Sequence, residues 1–340
     1  MMKKLNILEA VRGGAALYVF IGHFVLMTFI DRTNKVSILF KFGQEAVILF
    51  FLMSGFVIQF SYAKKQIPFS EYFKKRFLRI YPLFLLSIFM VFIHNIFSGS
   101  PLELRTILGN LFMLQDVETI KPGTIVTTYG NSALWSLSYE WWFYMLFIPI
   151  SNFKNKNLIV IFIVAISSIL YYIYPVQLLR WLMYFGIWWS GVLLANFYLS
   201  NQLNLKNVFN KIIVQILFFP TLLLFSKTLN EPFVSIGIYP TLEIRHFVSA
   251  ILFLLIAILW KHLNWLGYAF FKPLERIAPF SYGLYVLHLP IIMILEPFVF
   301  KYIKNSLIQF MTITLVVILL AYLFEVIIQK RLISSVNKIN

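Results

Sequence analysis

The chain has 340 residues, of which 60% are hydrophobic and only 12% charged, about half the charged share of a soluble domain. That composition excludes a water-soluble globular protein and points to an integral membrane protein made of helices. A net charge of +16 would suggest nucleic acid in a soluble domain, but the basic residues fall mainly in alternate loops between apolar runs, as membrane topology requires, so no nucleic-acid partner is expected.

Cysteine is absent, which removes disulfides, thiolate nucleophiles and Cys-ligated metals from consideration. The five histidines are scattered, with no HxxxH pair or His-rich tract, and no metal is expected.

The start, MMKKLNILEAVRGG, resembles a signal peptide, but its apolar run carries His23 and no small-residue cleavage site follows, so it reads as a retained first helix. Apolar runs long enough to span a bilayer recur at about 11–30, 44–63, 80–98, 134–150, 157–174, 180–200, 212–229, 245–260, 277–300 and 307–328. An even number places both termini on one side. With the N-terminus cytoplasmic, the inner segments hold Lys3, Lys4, Lys64, Lys65, the run from Lys74 to Arg79, Lys211 and Lys338, among others. The outer segments hold fewer, including Arg32, Lys121, Arg180 and Arg245. The expected fold is therefore all-α: a polytopic membrane bundle of about ten transmembrane helices with both termini cytoplasmic. Residues 1–340 read as a single membrane domain with no fused extracytoplasmic domain. The longest gap, about 99–133, contains LRTILGNLFML, too short to span and expected to be re-entrant or interfacial.

Two polar residues interrupt the first span. Arg12 and His23 are eleven residues apart, about three full turns, so they share a helix face about 16 Å apart along the axis. A pantetheine arm is of that order of length, so a single extended ligand could place a phosphate at Arg12 and its reactive end at His23. Taken singly, Arg12 also fits a snorkelling interfacial anchor and His23 a hydrogen-bonded interior histidine. The shared face favours the joint functional reading, in which both look into one water-accessible tunnel.

After the second span, KKQIPFSEYFKKRFLRIYP gathers basic residues around one acid, Glu71. Topology and anionic lipid account for much of that charge, but Arg76 and Arg79 are helical neighbours whose guanidinium forks suit the phosphates of a nucleotide-like ligand. In FFLMSGFVI, Ser54 and Gly55 read as close helix packing; no G-x-S-x-G elbow makes Ser54 a nucleophile.

In LWSLSYEWWFYML, Glu140 lies about 9 Å below the outer edge of its span, near the expected depth of His23. A carboxylate beside the imidazole would fix its tautomer, although Arg180 or water are alternative partners for Glu140. The neighbouring aromatics are mostly those of an interfacial belt. In SYGLYVLHLPI, Tyr282, Tyr285 and His288 can form a polar stripe, consistent with an internal cavity and equally with a proton relay.

These stretches, in this order and at these spacings, resemble the acyltransferase 3 family of bacterial membrane acyltransferases. The most specific element is the Arg-x10-His pattern of Arg12 and His23. It is joined by FFLMSGFVI, the R-x-x-R of Arg76 and Arg79, LWSLSYEWWFY and SYGLYVLHLPI. The resemblance implies transfer of an acyl group, typically acetyl from acetyl-CoA, to a hydroxyl of a surface glycan such as lipopolysaccharide or another polysaccharide, in the bacterial cytoplasmic (inner) membrane. Under it Arg12, Arg76 and Arg79 hold the acyl-CoA donor and His23 does the chemistry with Glu140 orienting it. Trp135, Tyr282, Tyr285 and His288 face the acceptor or the developing oxyanion. Trp141 and Trp142 depart from the more polar residues of many relatives. Partners implied are a glycan or glycolipid acceptor, membrane lipids and envelope-biosynthesis proteins. A transporter or flippase for a glycolipid or polar solute is the rival reading, and a purely structural subunit the third; no internal symmetry of broken helices supports transport.

Overall fold

The computed structural model describes residues 2–30, 34–101, 103–209, 211–229 and 235–338. Arg32 lies outside the described residues, as do the side chains of Lys3, Lys4, Lys211 and Lys338. In chain order the main helices are α1 (Met2–Thr28), α2 (Gly43–Lys64), α3 (Phe69–Ser98), the short α4 (Leu104–Leu111), α5 (Trp135–Ser151), α6 (Lys156–Ile173) and α7 (Gln177–Leu199). They continue with α8 (Val214–Thr228), α9 (Thr241–His262), α10 (Ser281–Tyr302) and α11 (Ser306–Tyr322). A π-helical segment, Leu323–Gln329, then leads into α12 (Lys330–Lys338).

Among the described residues, 8 helical segments are long and apolar enough to cross a membrane: those built on α1, α2, α3, α6, α7, α9, α10 and α11. The fourth and seventh expected spans are also helical but shorter. α5 has 17 residues, and α8 opens with a π-helical stretch at Val214–Phe218. The only strands among the described residues are two-residue parallel partners, Gln115–Asp116 and Val126–Thr127, so the fold is essentially all-α.

Apolar helices gain nothing from hiding from lipid tails, so close packing must hold them together. The contact of α2 with α7 shows how. A Cβ added to Gly55 would stand 2.1 Å from the Trp188 carbonyl oxygen, and one added to Gly191 would stand 2.0 Å from that of Leu52. The two glycines thus let the backbones touch, as the Ser54–Gly55 pair suggested.

The segment between α3 and α5 is not a loose loop. Its centre is Asp116, fully buried, whose carboxylate accepts from Lys121 Nζ at 3.0 Å, Arg180 Nη2 at 2.8 Å, the Tyr139 hydroxyl at 2.6 Å and the Val117 N–H at 2.8 Å. Arg180 also donates to the Pro122 carbonyl and the Tyr171 hydroxyl, and Tyr171 donates to Glu243 at 3.0 Å. Both Asp116 oxygens and the Lys121 and Arg180 cations are thus matched, as burial requires. Burial alone would raise the Asp116 carboxyl, but Lys121 and Arg180 outweigh it and hold the group below the usual carboxylate range. Burial drives the Lys121 ammonium down to about 8, with Asp116 opposing the shift. Lys121 and Arg180, counted above as outer-loop charges, are therefore interior residues, 1% and 0% exposed. Solvated loop charge does not describe them.

Candidate active site

Arg12 is placed by the glycine that follows it. A Cβ on Gly13 would lie 2.1 Å from the Leu274 carbonyl oxygen, so only glycine admits the 3-10 segment Lys272–Arg276 against α1. That contact brings the Ala278 carbonyl to 3.0 Å from Arg12 Nη2, which also donates to Glu9 at 2.6 Å. Arg12 is thus anchored between two acceptors, and the free snorkelling anchor is replaced by a fixed cation.

The guanidiniums of Arg12, Arg76 and Arg79 line one cavity of about 160 Å³, together with Ser54, Glu140 and Tyr282. Five helices, α1, α2, α3, α5 and α10, meet there. Arg79 donates to Glu325 at 2.5 Å and lies 5.2 Å over the Tyr282 ring. Arg76 stands 5.6 Å from both the Tyr72 and Tyr144 rings and forms no ion pair among the described residues. The Nε–H groups of Arg12 and Arg76 are buried without an acceptor. Buried N–H donors without acceptors, in a cavity ringed by three guanidiniums, fit an anionic ligand such as a phosphate.

Glu140 does not orient His23. Its hydrogen-bond partner is the Tyr144 hydroxyl, one helical turn along α5, and it lies in the wall of the arginine cavity. Tyr144 in turn contacts Ser54 Oγ at 3.0 Å, which accepts from Trp188 Nε1 at 3.2 Å. A chain of donors therefore converges on Glu140. Similar depth put Glu140 beside His23 in the sequence reading, but depth says nothing about which way a helix is rotated.

His23 meets His288: Nδ1 of the first lies 2.9 Å from Nε2 of the second, with the rings stacked at 5.2 Å. The Leu284 carbonyl, 3.0 Å from His288 Nδ1, can only accept. His288 therefore carries its proton on Nδ1, its Nε2 accepts from His23 Nδ1–H, and the lone pair of neutral His23 falls on Nε2, on the opposite side of the ring.

Of the stripe on α10, Tyr282 and Tyr285 line the cavity and His288 does not. Tyr282 donates to the Ile80 carbonyl at 2.7 Å. Tyr285 donates to the Ala133 carbonyl at 2.6 Å and meets Ser136 Oγ at 2.8 Å. Trp135 lies elsewhere: it is 4% exposed, with Lys121 Nζ 3.2 Å above its ring and His246 stacked at 6.1 Å. It supports the Asp116 cluster and is absent from the cavity wall.

Arg12 lines this cavity and His23 does not. Phe50 and Tyr285 line the cavity with their rings 6.0 Å apart, and Tyr285 stands 6.4 Å from the His288 ring. One layer of aromatic side chains separates the arginines from the histidine pair. The tie of Tyr285 to Ala133 and Ser136 holds that layer in place.

Sequence reasoning missed Asp116, Tyr144 and Glu325. A signal existed for Glu325, a lone carboxylate in the last apolar span, since such groups inside membranes are functional by default. Among the described residues, no group of three or more His, Asp or Glu side chains could hold a metal.

A bundle of apolar helices enclosing cationic and imidazole groups is a membrane protein with an interior polar site. Residues 5–326 match the family model described as an acyltransferase domain, and the chain belongs to that family, acyltransferase 3. It is similar to the acyltransferase MdmB of Streptomyces mycarofaciens, with 32% identity over 153 residues, a stretch that covers 42% of this chain and 38% of that relative. No solved structure matches the chain.

Proposed function

We propose that this protein is a membrane O-acyltransferase that moves an acyl group, acetyl in the simplest case, from acyl-CoA to a hydroxyl of a surface or exported glycan. The observation that carries the reading is the convergence of Arg12, Arg76 and Arg79 on one cavity, with the His23–His288 pair one aromatic layer beyond it. The full topology is taken as ten transmembrane helices in the bacterial cytoplasmic membrane, in one domain with both termini cytoplasmic. The donor then approaches from the side of Arg76 and Arg79, and the glycan or glycolipid from the other.

Arg76 and Arg79 hold donor phosphates and Arg12 steers the chain of the donor inward. The cavity is too small for a whole coenzyme, so most of the nucleotide stays at the cytoplasmic mouth. The thioester reaches His23 by displacing the Phe50–Tyr285 layer. His23 Nε2 takes the proton of the acceptor hydroxyl as its oxygen attacks the thioester carbonyl. The C–S bond breaks, the ester forms, and the proton passes to the departing thiolate. Attack by His23 itself, through an acyl-imidazole, leads to the same products in two steps. His288 takes the orienting role first given to Glu140, and Glu140 serves the wall of the donor cavity.

The test is transfer of label. Membranes containing the protein, given labelled acetyl-CoA, should acylate an endogenous glycan, and His23→Ala should abolish the product at unchanged protein abundance. Labelled glycan persisting in that variant overturns the assignment. A transporter would instead lose solute movement with no acyl product in either protein.

A further inference from the structure

We propose that Glu325 and Gln329, on the π-helical segment Leu323–Gln329, are positioning residues that hold Arg79 in the orientation that receives the anionic part of the donor. This inference rests on the donor-site reading above.

Pro82 lies inside α3. Its missing N–H leaves the carbonyl four residues earlier, that of Leu78, without its intrahelical donor. The orphaned carbonyl is next to Arg79 and less than a turn from Arg76, so the turn bearing both arginines is the one the proline breaks. Gln329 closes that gap: its Nε2 donates to the Leu78 carbonyl at 2.9 Å and to that of Arg79 at 2.8 Å.

Four residues earlier, on the same face, Glu325 reaches the Arg79 side chain. One carboxylate oxygen accepts from Arg79 Nη1 at 2.5 Å and the other from the Gly283 N–H at 2.5 Å. Glu325 is thereby fixed from α10 and in turn fixes the guanidinium. Its own side chain is 1% exposed, whereas that of Arg79 keeps 38% of its surface. Held by Glu325 and over the Tyr282 ring, Arg79 lines the cavity that Arg12 and Arg76 share. Departures from regular α-helix of this kind frequently occur at functional sites. Here the π-helical segment delivers both polar side chains to a helix damaged by proline.

A merely structural glutamate would lower the amount of folded protein without touching donor affinity in what remains. The purified full chain in nanodiscs should therefore be titrated with CoA, without turnover, as wild type, Glu325→Gln, Arg79→Ala and the double variant. Glu325→Gln should weaken CoA binding roughly tenfold, raise the KM for acetyl-CoA in parallel and leave the acceptor KM unchanged. Because it acts through Arg79, it should add nothing in the Arg79→Ala background. If Arg79→Ala weakens CoA binding while Glu325→Gln does not, or if the two losses multiply, the positioning role is overturned and the donor site stands. If Arg79→Ala leaves CoA binding intact, the donor-site reading itself falls. Should Glu325→Gln fail to fold, Glu325→Asp, which keeps the charge but shortens its reach, enters the same cycle with the same expectation.

Discussion

His23 Nδ1 and His288 Nε2 are 2.9 Å apart, and the Leu284 carbonyl behind His288 decides which nitrogen carries which proton. The Leu284 carbonyl, His288 and His23 form a relay, so the tautomer of His23 is set by a group that cannot change protonation. His288→Ala should then lower kcat by on the order of 100-fold, because the acceptor that fixes the tautomer is lost. The KM for acetyl-CoA should stay within about twofold, since His288 is outside the arginine cavity. Steady-state kinetics with labelled acetyl-CoA checks both numbers, and an unchanged kcat removes the orienting role.

Arg180 binds the segment between α4 and α5 to the bundle through Asp116, Tyr139, Tyr171 and Pro122. Removing one partner of a buried ion pair leaves the other charge uncompensated, which typically costs about 3–5 kcal/mol. Arg180→Ala should therefore lower the melting temperature in detergent by many degrees and make the segment between α4 and α5 susceptible to protease. CoA affinity of the surviving folded fraction should be unchanged, because Arg180 does not line the donor cavity. A normal melting temperature would show that the cluster contributes little to stability.

Lys121 gives the fold a pH dependence with a definite sign. Burial lowers its ammonium from an ordinary 10.5 to about 8. Below pH 8 both folded and unfolded chains hold the proton, and the fold bears the burden of a buried charge. Between about pH 8 and 10.5 the unfolded chain binds a proton that the folded chain has released, so this group makes stability rise with pH. Lys121→Met removes the titration. The melting temperature of wild type relative to that variant should rise from pH 8 to pH 10, and a flat difference would show that Lys121 keeps an ordinary affinity for its proton.

Much of the helical framework is legible because a bilayer forces apolar runs into helices, and each of the ten expected runs coincides with helix. Along a single helix the sequence is equally informative. The spacing of Arg12 and His23, and of Arg76 and Arg79, follows from helical geometry, and Tyr144 at i+4 from Glu140 was readable on the same rule. Contacts between helices were not legible. Glu140 and His23 share an expected depth, yet α5 is rotated so that Glu140 and its neighbour Tyr144 both face the cavity of the arginines. Trp135 reads as one of a belt of interfacial aromatics, but it lies beneath Lys121 because Asp116 draws that lysine inward. The Phe50–Tyr285 layer was likewise invisible, since it arises from three chain segments meeting at the Ala133 carbonyl and Ser136.

Arg76 should dominate the attraction of the donor. Arg12 shares its charge with Glu9 and Arg79 with Glu325, whereas Arg76 forms no ion pair among the described residues and has a buried, unpartnered Nε–H. A phosphate approaching the cavity therefore meets one guanidinium with no carboxylate on its donors and two that have already given one donor to a carboxylate. Arg76→Ala should raise the KM for acetyl-CoA about tenfold, the worth of one charged hydrogen bond, and by more than Arg12→Ala does. The acceptor KM and the kcat at saturating donor should change little, because phosphate contacts contribute binding that ground state and transition state share. Arg76→Lys should restore only part of the loss, since an ammonium keeps the charge but not the planar fork. Initial rates over a grid of donor and acceptor concentrations separate these effects. An equal rise in both KM values would move Arg76 out of the donor site and return it to the general basic surface of α3.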